Sequence, residues 1–301
     1  MSVHSSHDAP VCGRFAPSPT GRMHLGNIYT AILSCYHARR NGGRWILRIE
    51  DLDPQRSRPE YADILMDDLQ WLGLEWDGEP QYQSRRHDIY AEALRRLSSL
   101  RLVYPCRCTR ADIMATQAPH QSDGHIVYAG TCRPSEPVYD AASLSETLRI
   151  MVSPYPEFLQ ESRGTNVAFD DMIHGHIDIN LAETFGDFVL RRRDGAWAYQ
   201  LAVAVDDALM GITQVVRGED LLLSTAVQRY IQDLLDLPMP TEYIHLPLLC
   251  NQAGQRLSKR DGAMAMDQLR MRYTPRQIFE IICLRAGLDT DDVLSVIRRN
   301  P

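Results

Sequence analysis

Apolar and polar positions along this 301-residue chain follow two alternating periods, most clearly in its first hundred residues. Val11 to Phe15 is a short apolar run, and from Leu25 to Arg40 apolar residues recur at helical spacing, which predicts a strand and then an amphipathic helix. Asn41-Gly42-Gly43 stops that helix, and Arg44 to Ile49 reads as a buried parallel strand. Further helices are expected at Pro59 to Leu72, where Tyr61, Ile64, Leu65, Leu69 and Leu72 share one stripe, and at Arg85 to Leu100. Helix and strand alternating in this order predict an α/β fold, a doubly wound Rossmann-type parallel sheet.

Between Tyr104 and about Pro137 the periodicity gives way to cysteine, glycine and proline, the mark of an insertion. Regular pattern returns at Val167 to Ile173, Ile177 to Asn180, Phe188 to Arg192, Trp197 to Val205 and Ile212 to Val216, all read as strands leading back to the main sheet. Leu221 to Leu235 is predicted helical, Tyr243 to Leu249 a strand, and Ile278 to Ala286 a short helix opening a tail. The expected organisation is a disordered lead (1–10), a first half-domain (11–103), a metal-binding insertion (104–137), a second half-domain (138–262) and a short helical tail (263–301). The lead is polar and has no apolar core, so it does not read as a signal peptide.

Composition narrows the function classes. A net charge of −7 argues against a protein that coats nucleic acid nonspecifically. No apolar run approaches the roughly 20 residues needed to cross a bilayer. Seven cysteines, an odd number, argue against a disulfide framework and predict a cytoplasmic protein.

Two segments carry phosphate chemistry. Pro17-Ser18-Pro19-Thr20-Gly21 runs into His24-Leu25-Gly26-Asn27 between the first strand and the first helix, where unpaired N–H groups and the positive end of the helix dipole favour an anion. Gly26 leaves room for a flat base or ribose on the backbone, and His24 can donate an imidazole N–H to phosphate oxygens. Near the other end, Arg256-Leu257-Ser258-Lys259-Arg260 sits in a glycine-containing loop, and an ammonium delivered there neutralises charge building on an α-phosphate. Either segment alone is a weak motif, but the ordered pair specifies a triphosphate site.

The order HLGN, then Arg48-Ile49-Glu50-Asp51-Leu52-Asp53, then Val216-Arg217-Gly218-Glu219-Asp220-Leu221, then RLSKR resembles the catalytic domain of class I aminoacyl-tRNA synthetases of the glutamyl group. The resemblance runs from about Gly13 to about Gly262. HLGN and RLSKR depart mildly from the HIGH and KMSKS forms, with Asn27 in place of the last histidine and Leu257 in place of methionine. It implies ATP contacts at His24, Gly26, Asn27, Ser258 and Lys259, of which His24 and Lys259 are catalytic. It implies glutamate contacts at Arg14, Phe15, Ala16, Pro17, Ser18, Glu50, Tyr199 and Arg217. The arginines offer planar forks to carboxylates, Glu50 accepts from an ammonium, and Tyr199 supplies a hydroxyl. Magnesium is expected to accompany ATP.

Cys106, Cys108 and Cys132 form the remaining cluster, and three thiolates in a small insertion suit a tetrahedral structural zinc. Chemistry leaves the fourth ligand open among His120, His125 and Tyr128. Cys-x-Cys followed by Tyr-x-Gly-x-Cys resembles the site of the short glutamyl-Q branch of the family, and that resemblance implies Tyr128. Only about forty residues follow Lys259, too few for the anticodon-reading domain of ordinary glutamyl-tRNA synthetases. The resemblance therefore implies transfer of glutamate to queuosine in the anticodon stem-loop of tRNA(Asp), by a monomer. The competing readings are a minimal synthetase charging the 3′ end of tRNA(Glu), a nucleotidyltransferase of the HxGH type, and a catalytically silent RNA binder.

Overall fold

A computed structural model describes residues 10–109, 112, 127–152, 164–249 and 264–298. In chain order it contains β1 (Cys12–Phe15), α1 (Leu25–Arg40), β2 (Arg44–Ile49), α2 (Pro59–Trp71), β3 (Gln81–Tyr82), α3 (His87–Ser99), β4 (Val103–Cys106) and β5 (Thr147–Ile150). There follow β6 (Asn166–Asp171), β7 (Gly175–Asn180), the one-turn α4 (Leu181–Thr184), β8 (Phe188–Arg191), α5 (Tyr199–Leu209), β9 (Gln214–Gly218) and α6 (Leu222–Leu234). The chain ends with β10 (Glu242–Leu246), α7 (Met266–Arg272), α8 (Pro275–Ala286) and α9 (Thr290–Arg298).

Seven strands form the main sheet in the order β3-β2-β1-β9-β10-β6-β7. All neighbours are parallel except β6 and β7, which make an antiparallel hairpin. Side chains alternate across the sheet. Phe15, Trp45, Leu47, Ile49, Val216 and Ile244 face a core with α1, α2 and the C-terminal helices, while Cys12, Val215 and Tyr243 face a second core with α3, α5 and α6. Each fully buried Leu or Ile in these layers contributes on the order of 2 kcal/mol. The chain winds outward from β1 to β3 and returns on the other side of β1 as β9 and β10. The switch point therefore lies between β1 and β9, where a crevice opens beyond the carboxyl ends of the strands.

The HLGN turn explains the start of α1. His24 is the N-cap, its Nδ1 accepting from the Gly26 N–H at 3.2 Å, while its own N–H donates to Asn27 Oδ1 at 3.1 Å. Asn27 thus closes a capping box that joins both ends of the motif.

Two expectations need correcting. Trp197 to Val205, read as a strand, is the entry to helix α5, because the apolar run Leu201 to Val205 shows no period and small residues such as Ala202 and Ala204 pack inside as well in a helix. Phe188 to Arg192 does not return to the main sheet, for β8 pairs with β5, which pairs with β4, in a separate three-stranded antiparallel sheet. β3, β4, Thr147–Ile150 and the one-turn α4 are not among the expected elements, and the expected helical tail holds α7 and α9 besides the helix placed at Ile278 to Ala286.

Helix α5 carries adjacent buried acids that point apart. Asp206 accepts from Gln83 Nε2 at 2.8 Å, Arg86 Nε at 2.7 Å and the Tyr90 hydroxyl at 2.7 Å, tying α5 to α3. Removing it leaves a partly buried guanidinium and two polar groups without their partner. Asp206→Ala is expected to lower the unfolding free energy by about 3–5 kcal/mol in urea titration, whereas a loss below about 1 kcal/mol would exclude it as a clamp.

Candidate functional site

A cleft of about 810 Å³ opens at the switch point. The Arg14 to Ser18 segment, His24, Gly26, Asn27, Glu50, Tyr199 and Arg217 all line it. β1 delivers Arg14, the turn after β2 delivers Glu50, β9 delivers Arg217 and the first residue of α5 delivers Tyr199. The Pro17 carbonyl accepts from the Glu50 N–H at 2.9 Å, which locks the turn against the end of β2. Because His24 Nδ1 accepts from Gly26, the ring proton sits on Nε2. A Cβ added to Gly26 would stand 3.1 Å from the His24 ring, so the glycine lets that imidazole fold over the helix start.

Ser258 and Lys259 lie outside the described residues, as do His120 and His125. Both ends of the segment that carries Ser258 and Lys259 are nevertheless held at the cleft. Leu249 lines it on one side, and on the other Ala265 pairs antiparallel with His24 while the Met266 N–H donates to the Met23 carbonyl at 2.8 Å.

A buried charge network forms the floor. Arg14 spans Asp207 with Nε at 3.2 Å and one terminal nitrogen at 3.3 Å. Arg48, fully buried, donates to Asp207 at 2.6 Å and to Glu50 at 3.1 Å. Burial pushes the Glu50 carboxyl upward against the pull of Arg48 and Arg14. Burial likewise opposes ionisation of Asp207, but Arg14 and Arg48 outweigh it and hold the carboxyl at about 2.

Arg217 differs from its neighbours. Buried, it donates to His245 Nε2 at 3.2 Å, the Thr225 hydroxyl at 2.7 Å, Gln228 Oε1 at 2.9 Å and the Tyr199 hydroxyl at 3.3 Å. All four are uncharged acceptors, and among the described residues no carboxylate lies within ion-pair distance of it. Arg14 and Arg48 thus meet carboxylates directly, whereas Arg217 reaches one, Asp171, only through His245. A buried guanidinium with no carboxylate in direct contact favours an anion nearby.

Sequence reasoning placed no role on Asp207, Asp171, His245, Thr225, Gln228 or Arg48. A usable signal existed for some. His245 in Tyr-Ile-His-Leu and Arg48 in Trp-Ile-Leu-Arg-Ile are polar residues inside apolar strands, and buried polar groups require partners.

The cysteine cluster lies at the end of the three-stranded sheet. The Sγ atoms of Cys106, Cys108 and Cys132 lie within 4.8 Å of one another. The Tyr128 hydroxyl stands 3.4 Å from Cys106 Sγ and 3.6 Å from Cys108 Sγ, and Cys108 and Cys132 sulfurs are 3.5 Å apart. Ligand sulfurs around one tetrahedral zinc are about 3.8 Å apart for Zn–S bonds of about 2.3 Å, so the four donors fit such an ion. Burial opposes the Cys132 thiolate, but the Arg107 backbone N–H and the adjoining hydroxyl and thiols lower its pKa to about 7. The Arg149 guanidinium covers the Tyr128 ring at 3.9 Å and donates to the Asp187 carbonyl at 2.8 Å, bracing the site from behind.

The fold and the cleft are those of a class I synthetase catalytic domain, with nucleotide-type turn, mixed-sign pocket and a switch-point position. Residues 10–300 match the family of class I tRNA synthetases (E and Q), catalytic domain, and the chain belongs to that family. It is 47% identical over 279 residues to a Neisseria meningitidis serogroup C protein named glutamyl-Q tRNA(Asp) synthetase, covering 93% of this chain and 90% of the relative. A Thiobacillus denitrificans protein of the same name is 45% identical over 260 residues, 86% of this chain and 81% of its own length. Among solved structures, a glutamate tRNA ligase from Elizabethkingia meningosepticum in complex with its amino acid superposes with a TM-score of 0.76 at 27% identity over 95% of this chain. This chain spans 64% of that protein's length.

The Asp207 carboxyl gives a pH signature. Its folded-state value lies below the ordinary 3.8, so its contribution is present above about pH 4 and is lost as pH falls toward about 2. The contribution is about 2 kcal/mol. Unfolding free energies measured from pH 5 to pH 2 should fall more steeply in the native protein than in Asp207→Asn, which begins from a lower plateau. Parallel curves would exclude the network as the source of the acid limb.

Proposed function

We propose that this chain activates L-glutamate with ATP to give glutamyl adenylate, then transfers the glutamyl group to the queuosine base in the anticodon stem-loop of tRNA(Asp). The observation that carries the glutamate half is Arg217, a buried guanidinium with neutral partners only, beside the Tyr199 hydroxyl. The side-chain carboxylate of glutamate supplies a direct counterion there, while the ammonium goes to Glu50, whose raised pKa makes a cationic partner favourable. Arg14, held by Asp207, keeps two N–H groups for the substrate.

The α-carboxylate then attacks the α-phosphorus of ATP in line, and pyrophosphate leaves toward the start of α1. His24 Nε2–H and the positive end of the α1 dipole receive the phosphate charge. Ser258 and Lys259 join them from the segment anchored beside His24, and magnesium, when bound with the nucleotide, would supply charge shielding for the leaving group. The enzyme contributes positioning and charge stabilisation rather than a covalent nucleophile. Cys106, Cys108, Cys132 and Tyr128 hold one structural zinc, as a rigid base for the insertion. Among the described residues no helix is long and apolar enough to cross a membrane, and the reading has the protein working as a monomer in the cytoplasm.

The acceptor half rests on the named relatives, which match along 90% and 81% of their own lengths. Labelled glutamate, ATP and tRNA from cells with or without queuosine test it directly. Label is expected in the anticodon arm only when queuosine is present. Label at the terminal adenosine of tRNA(Glu) would instead make the protein a minimal glutamyl-tRNA synthetase.

The metal reading has its own test. Elemental analysis should find about one zinc per chain, and Tyr128→Phe should bind it about 10–100-fold more weakly in a chelator competition. Undiminished affinity would remove Tyr128 from the ligand set.

A further inference from the structure

We propose that His245, anchored by Asp171, is the positioning residue that orients Arg217 and so sets the preference for a substrate carboxylate; this deepens the glutamate reading and rests on it. Neither residue touches the cleft. His245 is fully buried on β10, and Asp171 ends β6, the strand beside it, opposite Tyr243.

Asp171 is saturated with donors. One oxygen accepts the backbone N–H groups of Ile173 and His174, each at 2.9 Å. The other accepts the His245 backbone N–H at 3.0 Å and His245 Nδ1 at 2.7 Å. Four N–H donors hold this carboxyl ionised, below its ordinary value although burial opposes it. A carboxylate facing Nδ1 fixes the ring proton there, so Nε2 presents its lone pair to the other side.

That lone pair meets Arg217 Nε at 3.2 Å, and the Thr225 hydroxyl lies 2.9 Å from the same nitrogen. Of the five N–H groups on a guanidinium, Nε–H goes to His245 and one terminal nitrogen spends both its hydrogens on Thr225 and Gln228. Only the remaining terminal nitrogen, already beside the Tyr199 hydroxyl, can meet a ligand. Fixing Nε fixes the plane of the fork, and with it which edge the substrate encounters. The imidazole must be neutral to do this, since an Nε2–H would oppose Nε–H. Burial and the Arg217 charge keep the ring pKa down at about 4.

The two ring nitrogens can be mimicked separately. In His245→Gln the amide oxygen reaches where Nε2 stood and can still accept from Arg217. In His245→Asn the shorter amide reaches the Asp171 side only. Glutamate-dependent exchange of pyrophosphate into ATP, measured with tRNA(Asp) present, should show the glutamate KM raised at least tenfold in His245→Asn and within about threefold of native in His245→Gln, the loss expected for a hydrogen bond to a charged group. The ATP KM should stay within about twofold in both, and inhibition by glutamine relative to glutamate should strengthen in the Asn variant alone. Should His245→Asn yield no folded protein, His245→Met, similar in length to glutamine but without the acceptor, takes its place with the same expectation. Equal effects, the reverse order, or both KM values rising together would mean that His245 merely staples β10 to β6, and would overturn the proposal. Absence of glutamate-dependent exchange in the native protein would instead sink the functional reading beneath it.

Discussion

Charge that cannot reach water organises this molecule. Arg14, Arg48, Glu50 and Asp207 come from β1, from β2 with its following turn, and from α5, so three separate pieces of chain must be in place before these groups are satisfied. The penalty for misplacing one is several kcal/mol, comparable with a large fraction of a domain's net stability. Folding and site assembly are therefore the same event. A pocket floor built this way is rigid before substrate arrives, which suits a reaction that depends on placement more than on covalent chemistry.

The three-stranded sheet with its thiol and phenol cluster solves a different problem. Asp187 ties the cluster's surroundings together by accepting from the Tyr104 hydroxyl at 2.6 Å, Arg133 at 2.9 Å and the Val152 N–H at 2.9 Å. Tyr128 also runs parallel to Gly186, whose left-handed backbone at φ 60° places it where an added Cβ would stand 2.9 Å from the Tyr128 carbonyl. Among the described residues apolar packing is sparse here, with a buried core of Tyr104, Cys106, Tyr128 and Met151, so polar ties carry much of the local order.

Local signals made the first half of the fold readable. Helix α1 was visible to the residue because a cap, an apolar stripe and a glycine stop coincide, and Arg44 to Ile49 because a short buried strand between such stops has few alternatives. Helix α5 was misread because its interior is apolar on every side, leaving no period to count. The site divides along the same line. Residues in contiguous motifs, such as His24 and Glu50, could be singled out, whereas Asp207 finds Arg14 and Arg48 across 193 and 159 positions and has no local signature beyond an acid pair after an apolar run. His245 and Asp171 likewise meet only once β6 and β10 lie side by side.

The neighbouring aspartates on α5 carry a geometric consequence. Successive helical residues are about 100° apart, so Asp206 and Asp207 read opposite neighbourhoods, one on the α3 side and the other beneath the cleft. Sliding the helix by a single position would hand each acid to the wrong set of partners at once. The pair works as a vernier: it indexes α5 to a fraction of a turn, and thereby fixes the height at which the Tyr199 ring stands at the mouth of the pocket.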